Sequence, residues 1–230
     1  MSRLWRREWP SWVLLVGMFV MAAIAWPRVP ERIPVHWGID GTPNRYGGRV
    51  EGLLLLPLIA VGLYLLLRFL PRLDPRRANY ALFGGSYDLI RFTTLVFLAI
   101  TYAVSLLVAA GYALDMTQIV PLLVGGLFIV IGSVLGKLRP TWFVGIRTPW
   151  TLSSARSWNK THRLGGWVFL IAGLLMALSG LLRQPIMLLA VVAALCVALL
   201  GLIFYSYLIW RQDQGVQPPT SGQPTGHDLI

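Results

Sequence analysis

Carboxylates are scarce in this chain: nine Asp and Glu stand against twenty Lys and Arg, a formal net charge of +11 over 230 residues. Charge of either sign is sparse as well, at 13% of residues. Cysteine is nearly missing. Cys196 stands alone in an apolar run, which excludes an intrachain disulfide and a cysteine-based metal site and leaves it the role of a small buried apolar side chain. Histidine occurs only as His36, His162 and His227. No HExxH, Gly-x-Ser-x-Gly or phosphate-loop pattern is present, so the usual sequences for zinc-dependent hydrolysis, acyl transfer and nucleotide binding are absent.

What fills the chain instead is apolar. Hydrophobic residues make up 56% and the mean hydropathy is +0.66, the composition of an integral membrane protein. Six stretches approach the roughly 20 mostly apolar residues that cross a bilayer core: 9–26, 53–70, 92–111, 119–136, 166–182 and 185–210. The expected fold class is all-α, a polytopic six-helix transmembrane bundle with one extracytoplasmic lobe and one amphipathic cytoplasmic loop. The first stretch follows Arg3, Arg6 and Arg7 and ends in an AIA that imitates a signal-peptidase site. Trp9, Trp12 and Trp26 bracket it as interfacial anchors do, so a retained helix is expected. Fifteen of the twenty Lys and Arg fall on segments that share a side with the N-terminus. That bias puts both termini in the cytoplasm and explains the basic charge without nucleic acid.

Two connections are longer and more specific in composition than turns. Residues 27–49 read PRVPERIPVHWGIDGTPNRYGGR. Pro27, Pro30 and Pro34 hold this segment extended, because each fixes its own φ and steers the preceding residue away from helix. Asp40 and Gly41 form a tight-turn pair and Pro43 is preset for another turn. A lobe folded over the outer helix ends is expected, with Trp37 and Tyr46 as its aromatic contacts. A metal at His36 would need more than the neighbouring Glu31, Asp40 and Glu51. His36 therefore reads as a hydrogen-bonded scaffold residue, and no metal or other cofactor is expected.

Residues 137–165 read KLRPTWFVGIRTPWTLSSARSWNKTHRLG, with no acidic residue. Gly145 to Pro149 cannot form regular helix, since Pro149 disfavours it at Thr148 and Gly145 invites a turn. Ser153 or Ser154 is a plausible N-cap for a short helix running into Gly165 and Gly166. On that helix Arg156, Lys160 and Arg163 share one face and Ala155, Trp158 and His162 another. The cationic face suits anionic lipid headgroups, worth about 1 kcal/mol per basic side chain near the surface. Arg147, set among Gly145, Thr148, Pro149 and Trp150, requires a partner if buried. With no carboxylate in its own loop, Asp74 or Asp88 is the expected one.

GIRTPWTLSS followed by W-N-K-T-H-R-L-G-G resembles the signature of the SdpI family of bacterial membrane proteins, and VPERIPVHWGIDGTPNRYGGR resembles the DUF1648 motif that commonly precedes it. The resemblance implies a division into residues 1–70 (DUF1648-like, two spans and the outer loop) and 71–210 (SdpI-like, four spans and the inner loop), while the tail at 211–230, polar and rich in Pro and Gly, reads as disordered. It also implies immunity: named members protect a producing cell from a secreted antimicrobial peptide, and the type member relays toxin exposure to a cytoplasmic repressor. The family's characteristic positions fall here on Pro34, His36, Gly41 and Pro43 outside. Inside they fall on Gly145, Arg147, Thr148, Pro149, Trp150, Leu152, Ser153, Trp158, Lys160, Thr161, His162, Arg163 and Gly166. Ala155 and Arg156 stand where acidic residues commonly follow the double serine, and Asn44 where an aspartate is frequent.

The rival readings are weaker. A hydrolase using Ser153 or Ser154 with His162 would hold its pair too far apart along one helix, at about 1.5 Å rise per residue. A transporter wants ionisable groups near span centres, but Arg68 and Arg91 lie near span ends. Tyr64, Thr101, Tyr102 and Ser105 read as interhelical hydrogen bonding, and Pro57 and Pro121 are tolerated inside spans. The expected function is non-enzymatic binding and signalling in the bacterial plasma membrane. A peptide toxin would meet Pro34, His36, Trp37, Asp40, Gly41 and Tyr46 on the outside. Inside, Gly145, Arg147, Thr148, Pro149, Trp150, Ser153, Trp158, Lys160, His162 and Arg163 would face anionic lipid and a cytoplasmic repressor, without direct nucleic-acid contact.

Overall fold

The computed structural model describes residues 3–214, with side chains from Glu8 onward. In chain order it holds α1 (Arg3–Ala25), β1 (Arg32–Trp37), β2 (Pro43–Gly48), α2 (Arg49–Leu73), a 3₁₀ segment (Arg77–Leu82), α3 (Gly84–Ala109), α4 (Met116–Leu135), α5 (Pro149–Ser153), α6 (Ala155–Leu181) and α7 (Pro185–Gln214). All these helices except the single-turn α5 are long and apolar enough to cross a membrane, six in total. Leu58, Ile186, Val197 and Leu200 are among many large apolar side chains on the outer surface. In water such a surface would aggregate; in lipid it is the solvated face. The chain is a multi-pass membrane protein.

The helices form two packed groups. Leu15, Met18 and Ala22 of α1 meet Leu53 and Ala60 of α2 and Leu95, Ala99 and Tyr102 of α3 in one buried cluster, which Val29 and Ile33 cap. In the second group α6 lies between α4 and α7, and α4 runs against α6 almost backbone to backbone. Tyr80, Phe83 and Tyr87 pack with Leu135, Leu138 and Trp158 at one end, where the two groups meet. That end is termed here the loop end, and the opposite one the hairpin end.

Several sequence expectations are corrected. The segment expected as a short amphipathic helix ending at Gly165 and Gly166 is the first part of α6, which runs unbroken to Leu181. The glycines do not stop it because they serve packing: a Cβ on Gly165 would strike Ile146, and one on Gly166 would sit 2.9 Å from the Gly132 carbonyl oxygen. The segment expected as an outer lobe contains a two-stranded antiparallel hairpin, β1–β2, in addition to extended chain and turns. Cys196 is exposed on α7 rather than buried. Arg211 to Gln214 complete α7 instead of opening the tail, and the rest of the expected disordered tail, together with His227, lies outside the described residues. Pro10, Pro57, Pro71 and Pro121 all sit inside helices.

Candidate functional site

At the hairpin end, Gly41 takes φ +77° in the turn between the strands. The Asp40 carboxylate accepts from the Thr42 amide (3.1 Å) and hydroxyl (2.7 Å), closing the turn and holding its own pKa below the ordinary value. The tip rests on the start of α4: a Cβ on Gly41 would come within 2.8 Å of Thr117 Cγ2. At the other end of the hairpin, Ile33 is fully buried against Gly52 of α2. The lobe is thus a strap from α2 to α4.

Strand alternation divides the predicted outer residues. His36 and Tyr46 are exposed, with His36 Nδ1 2.6 Å from Asn44 Oδ1, as a scaffold histidine would be. Trp37 is half-buried and turns inward with Val35. Beneath them a groove of about 240 Å³ descends between α2 and α3, past Leu55, Ile59, Thr101, Tyr102 and Ser105. Its mouth carries the Arg45–Glu51 ion pair at 2.7 Å. The Tyr102 hydroxyl donates to the Leu53 carbonyl at 2.9 Å, so the expected interhelical bond exists and also lines the groove. The sequence reading weighs Glu51 only as a neighbour of His36 and does not pair it with Arg45; the signal for the pair is opposite charges flanking the glycines at the strand-to-helix junction.

At the loop end, most of the predicted inner residues form one packed knot. Gly145 takes φ +114°, which turns the chain so that the Ile146 amide donates to His162 Nε2 at 2.9 Å. His162 Nδ1 lies 2.8 Å from the Trp158 carbonyl, so the ring carries its proton on Nδ1 and has no lone pair left for a base or a ligand. Trp158 stacks on His162 with centroids 3.9 Å apart and donates Nε1–H to the Leu138 carbonyl at 2.9 Å. Both rings are completely buried. The Thr148 side chain caps α5 in a reciprocal box with Thr151, Pro149 follows as the first helical residue, and Trp150 packs edge-on against Tyr207 of α7. Ser154 caps α6 and donates to Asp213 at 2.6 Å. Ser153 donates to the Pro149 carbonyl at 2.8 Å and faces outward.

Arg147 departs from expectation. Its guanidinium is exposed and donates to the Trp142 carbonyl at 2.9 Å, with no carboxylate partner among the described residues. Asp88 instead pairs with Arg91 at 3.0 Å. Asp74 is buried, accepting from the Arg76 amide (2.8 Å), the Tyr80 hydroxyl (3.0 Å) and the Trp142 amide (3.0 Å). Burial first, and the adjoining carboxylate second, hold the Tyr80 hydroxyl protonated far above its ordinary pKa. The turned loop leaves Arg147 in solvent, where it needs no carboxylate. The exposed cationic face of Arg156, Lys160 and Arg163 is as expected, but Ala155 is also exposed. Arg156 lies 3.9 Å from Asp213, and Lys160 and Arg163 have no ion pair among the described residues.

Residues 137–206, which contain the whole of this knot's motif, match the SdpI/YfhL protein family. Ahead of them, residues 13–61 match DUF1648, a domain of unknown function, which takes in the hairpin, most of α1 and the first half of α2. Over 205 residues the chain is 23% identical to the Immunity protein SdpI of Bacillus subtilis (strain 168), covering 89% of this chain and 96% of that protein. No solved structure matches the chain. The SdpI motif is, on this geometry, mainly a folding motif: Gly145, Thr148, Trp158 and His162 hold the loop, while Arg147, Ser153, Lys160 and Arg163 are what it displays.

The Gly145→Ala variant is expected to lose about 2–4 kcal/mol of stability, because a Cβ there is disfavoured at positive φ and collides with His162 Nε2. Thermal unfolding in detergent, followed by tryptophan fluorescence, checks this; an unchanged midpoint would mean the knot is not formed as described.

Proposed function

We propose that this protein is an immunity protein that binds a secreted, membrane-active peptide at the hairpin end. The groove under Trp37 carries the reading. It has an ion pair at its mouth, hydroxyls along one wall and aliphatic side chains below, the profile of an amphipathic peptide entering a bilayer surface. The similarity to an immunity protein along nearly the whole chain supports it. The Lys and Arg bias supports a hairpin end outside the cell and a loop end in the cytoplasm.

Relay to a cytoplasmic repressor has a physical route. The groove lies on α2, and α2 ends at Leu73, next to Asp74, whose carboxylate holds Trp142 and hence the loop displaying Arg147. A peptide that shifts α2 along its roughly 37 Å length would move that carboxylate. Catalysis has no comparable support, since His162 is committed at both nitrogens and Ser153 bonds within its own turn.

The test is protection of toxin-sensitive cells challenged with the secreted antimicrobial peptide of a strain that carries an SdpI-type immunity protein. Trp37→Ala should lower the protective titre at least about tenfold, the effect of removing one buried aromatic anchor, at equal membrane abundance. Ser153→Ala should protect as the parent does. Full protection by Trp37→Ala, or loss of protection in Ser153→Ala, would overturn the groove reading, and the second result would favour a hydrolase.

A further inference from the structure

A second cleft lies at the loop end, on the lipid-facing side of the α4–α6 pair. It measures about 340 Å³ and is lined by Gly132, Ser133, Gly136 and Gly166 on its floor, with Lys137, Arg163, Trp167 and Leu170 around it. The floor is low because α4 and α6 touch through backbone: a Cβ on Gly132 would stand 2.6 Å from the Leu170 amide nitrogen, and one on Gly136 would reach the Arg163 Cα at 3.5 Å. Gly132 and Gly166 leave no room for a side chain between the two helices, so their backbones themselves form the floor of the trough.

The depth of each lining residue is set by the helices. Lys137 follows α4 by two residues, where the apolar run of that helix ends. Arg163 is the last charged residue before the uninterrupted apolar run of α6, which begins at Leu164. Both cations therefore stand at headgroup level. Trp167, strongly exposed, is one turn deeper, and Leu170 deeper again. The order is cation, aromatic, aliphatic, which is the order of phosphate, glycerol and acyl chain in a phospholipid. Charge agrees: neither Lys137 nor Arg163 has a carboxylate partner among the described residues, and the sequence carries none from Met116 to Gln212.

We propose that this cleft binds one anionic phospholipid, its phosphodiester between Lys137 and Arg163 and one acyl chain in the glycine-floored trough against Leu170. This is separate from the peptide reading and stands without it. It also differs from a diffuse attraction of the exposed basic face for the membrane, since it predicts one lipid held at two named cations rather than a charge effect spread over all of them.

Native mass spectrometry of the full chain released from detergent distinguishes the two. With phosphatidylglycerol present, the parent should retain a single lipid adduct; phosphatidylcholine and inorganic phosphate at the same concentration should not give one. Lys137→Ala combined with Arg163→Ala should reduce adduct occupancy at least about tenfold, whereas Arg156→Ala with Lys160→Ala, which removes as much charge from the same end, should leave it within about twofold. Ser133→Phe, which fills the trough and keeps both cations, should also displace the lipid; an unchanged unfolding midpoint in each variant keeps loss of fold out of the comparison. Equal losses in both double variants, equal retention of phosphatidylcholine, retention of phosphate alone, or a lipid-binding Ser133→Phe would each overturn the site.

Discussion

Gly173→Leu is expected to abolish folding, while Gly126→Leu, on the same pair of helices, is expected to change stability by less than about 1 kcal/mol. A Cβ on Gly173 would lie 2.7 Å from the Gly125 carbonyl oxygen and 2.8 Å from the Ile129 amide nitrogen. Both obstacles are backbone, so no rotamer change relieves them. At Gly126 nothing lies within 4 Å, and the position faces lipid. The contact is one of a series: Gly125 meets Gly173, Gly132 meets Gly166, and Gly180 meets Gln118. Within each helix these glycines recur at seven-residue intervals, two turns, which keeps them on one seam of antiparallel helices. Lipid supplies no hydrophobic drive between helices, so close backbone contact is what holds α4 to α6. Overpacking a well-packed core costs about 1–3 kcal/mol, and a backbone obstacle places Gly173→Leu at or above the top of that range. Recovery of monodisperse protein in mild detergent, with unfolding midpoints for whatever is recovered, is the measurement. A folded Gly173→Leu would show that the seam is not the main bond between the two helices.

Glu8→Ala is the second large effect, an expected loss of about 3 kcal/mol, the lower end of the cost of breaking a buried pair. Glu8 accepts from Arg91 at 3.0 Å, lies 3.4 Å from Arg68 and accepts from the Tyr64 hydroxyl at 3.1 Å, so one carboxylate ties α1 to both α2 and α3. Arg91 is about one-tenth exposed, and removing Glu8 leaves its guanidinium with Asp88 alone. The double variant Glu8→Ala with Arg91→Ala should be less destabilised than the sum of its two single variants by at least about 1 kcal/mol, because the second change removes the stranded charge. Additive losses would reduce the cluster to independent surface contacts.

The candidate sites were legible unevenly. Turn and cap chemistry was readable because it acts within a few residues: Asp40 and Gly41 make the hairpin turn, and Ser154 caps α6, through bonds spanning only a few positions. Trp158 and His162 fell on the packing face because helical periodicity put them there. The Arg147 expectation failed since it assumed burial, and burial depends on how the whole loop is turned by Gly145 and His162. The Glu8–Arg91 pair bridges 83 residues, and no local pattern joins them, although a carboxylate near the start of an apolar helix in so acid-poor a chain was a usable sign. The glycine seam is also written in the seven-residue spacing, but Gly165 and Gly166 read locally as a helix end, because glycine in isolation is ambiguous between breaking a helix and letting another approach.

The sequence by itself determined the six spans, the two long connections at opposite ends and the positions of turns and caps. These follow from the length of apolar runs against bilayer thickness and from backbone sterics, both of which act along the chain. Only the tertiary structure decided that α4 and α6 meet through glycine, that Arg147 is displayed while His162 is sealed, and that grooves open beneath Trp37 and beside Trp167. Those outcomes depend on which helix faces meet, and that is a matter of three-dimensional shape that many apolar sequences of the same pattern would settle differently.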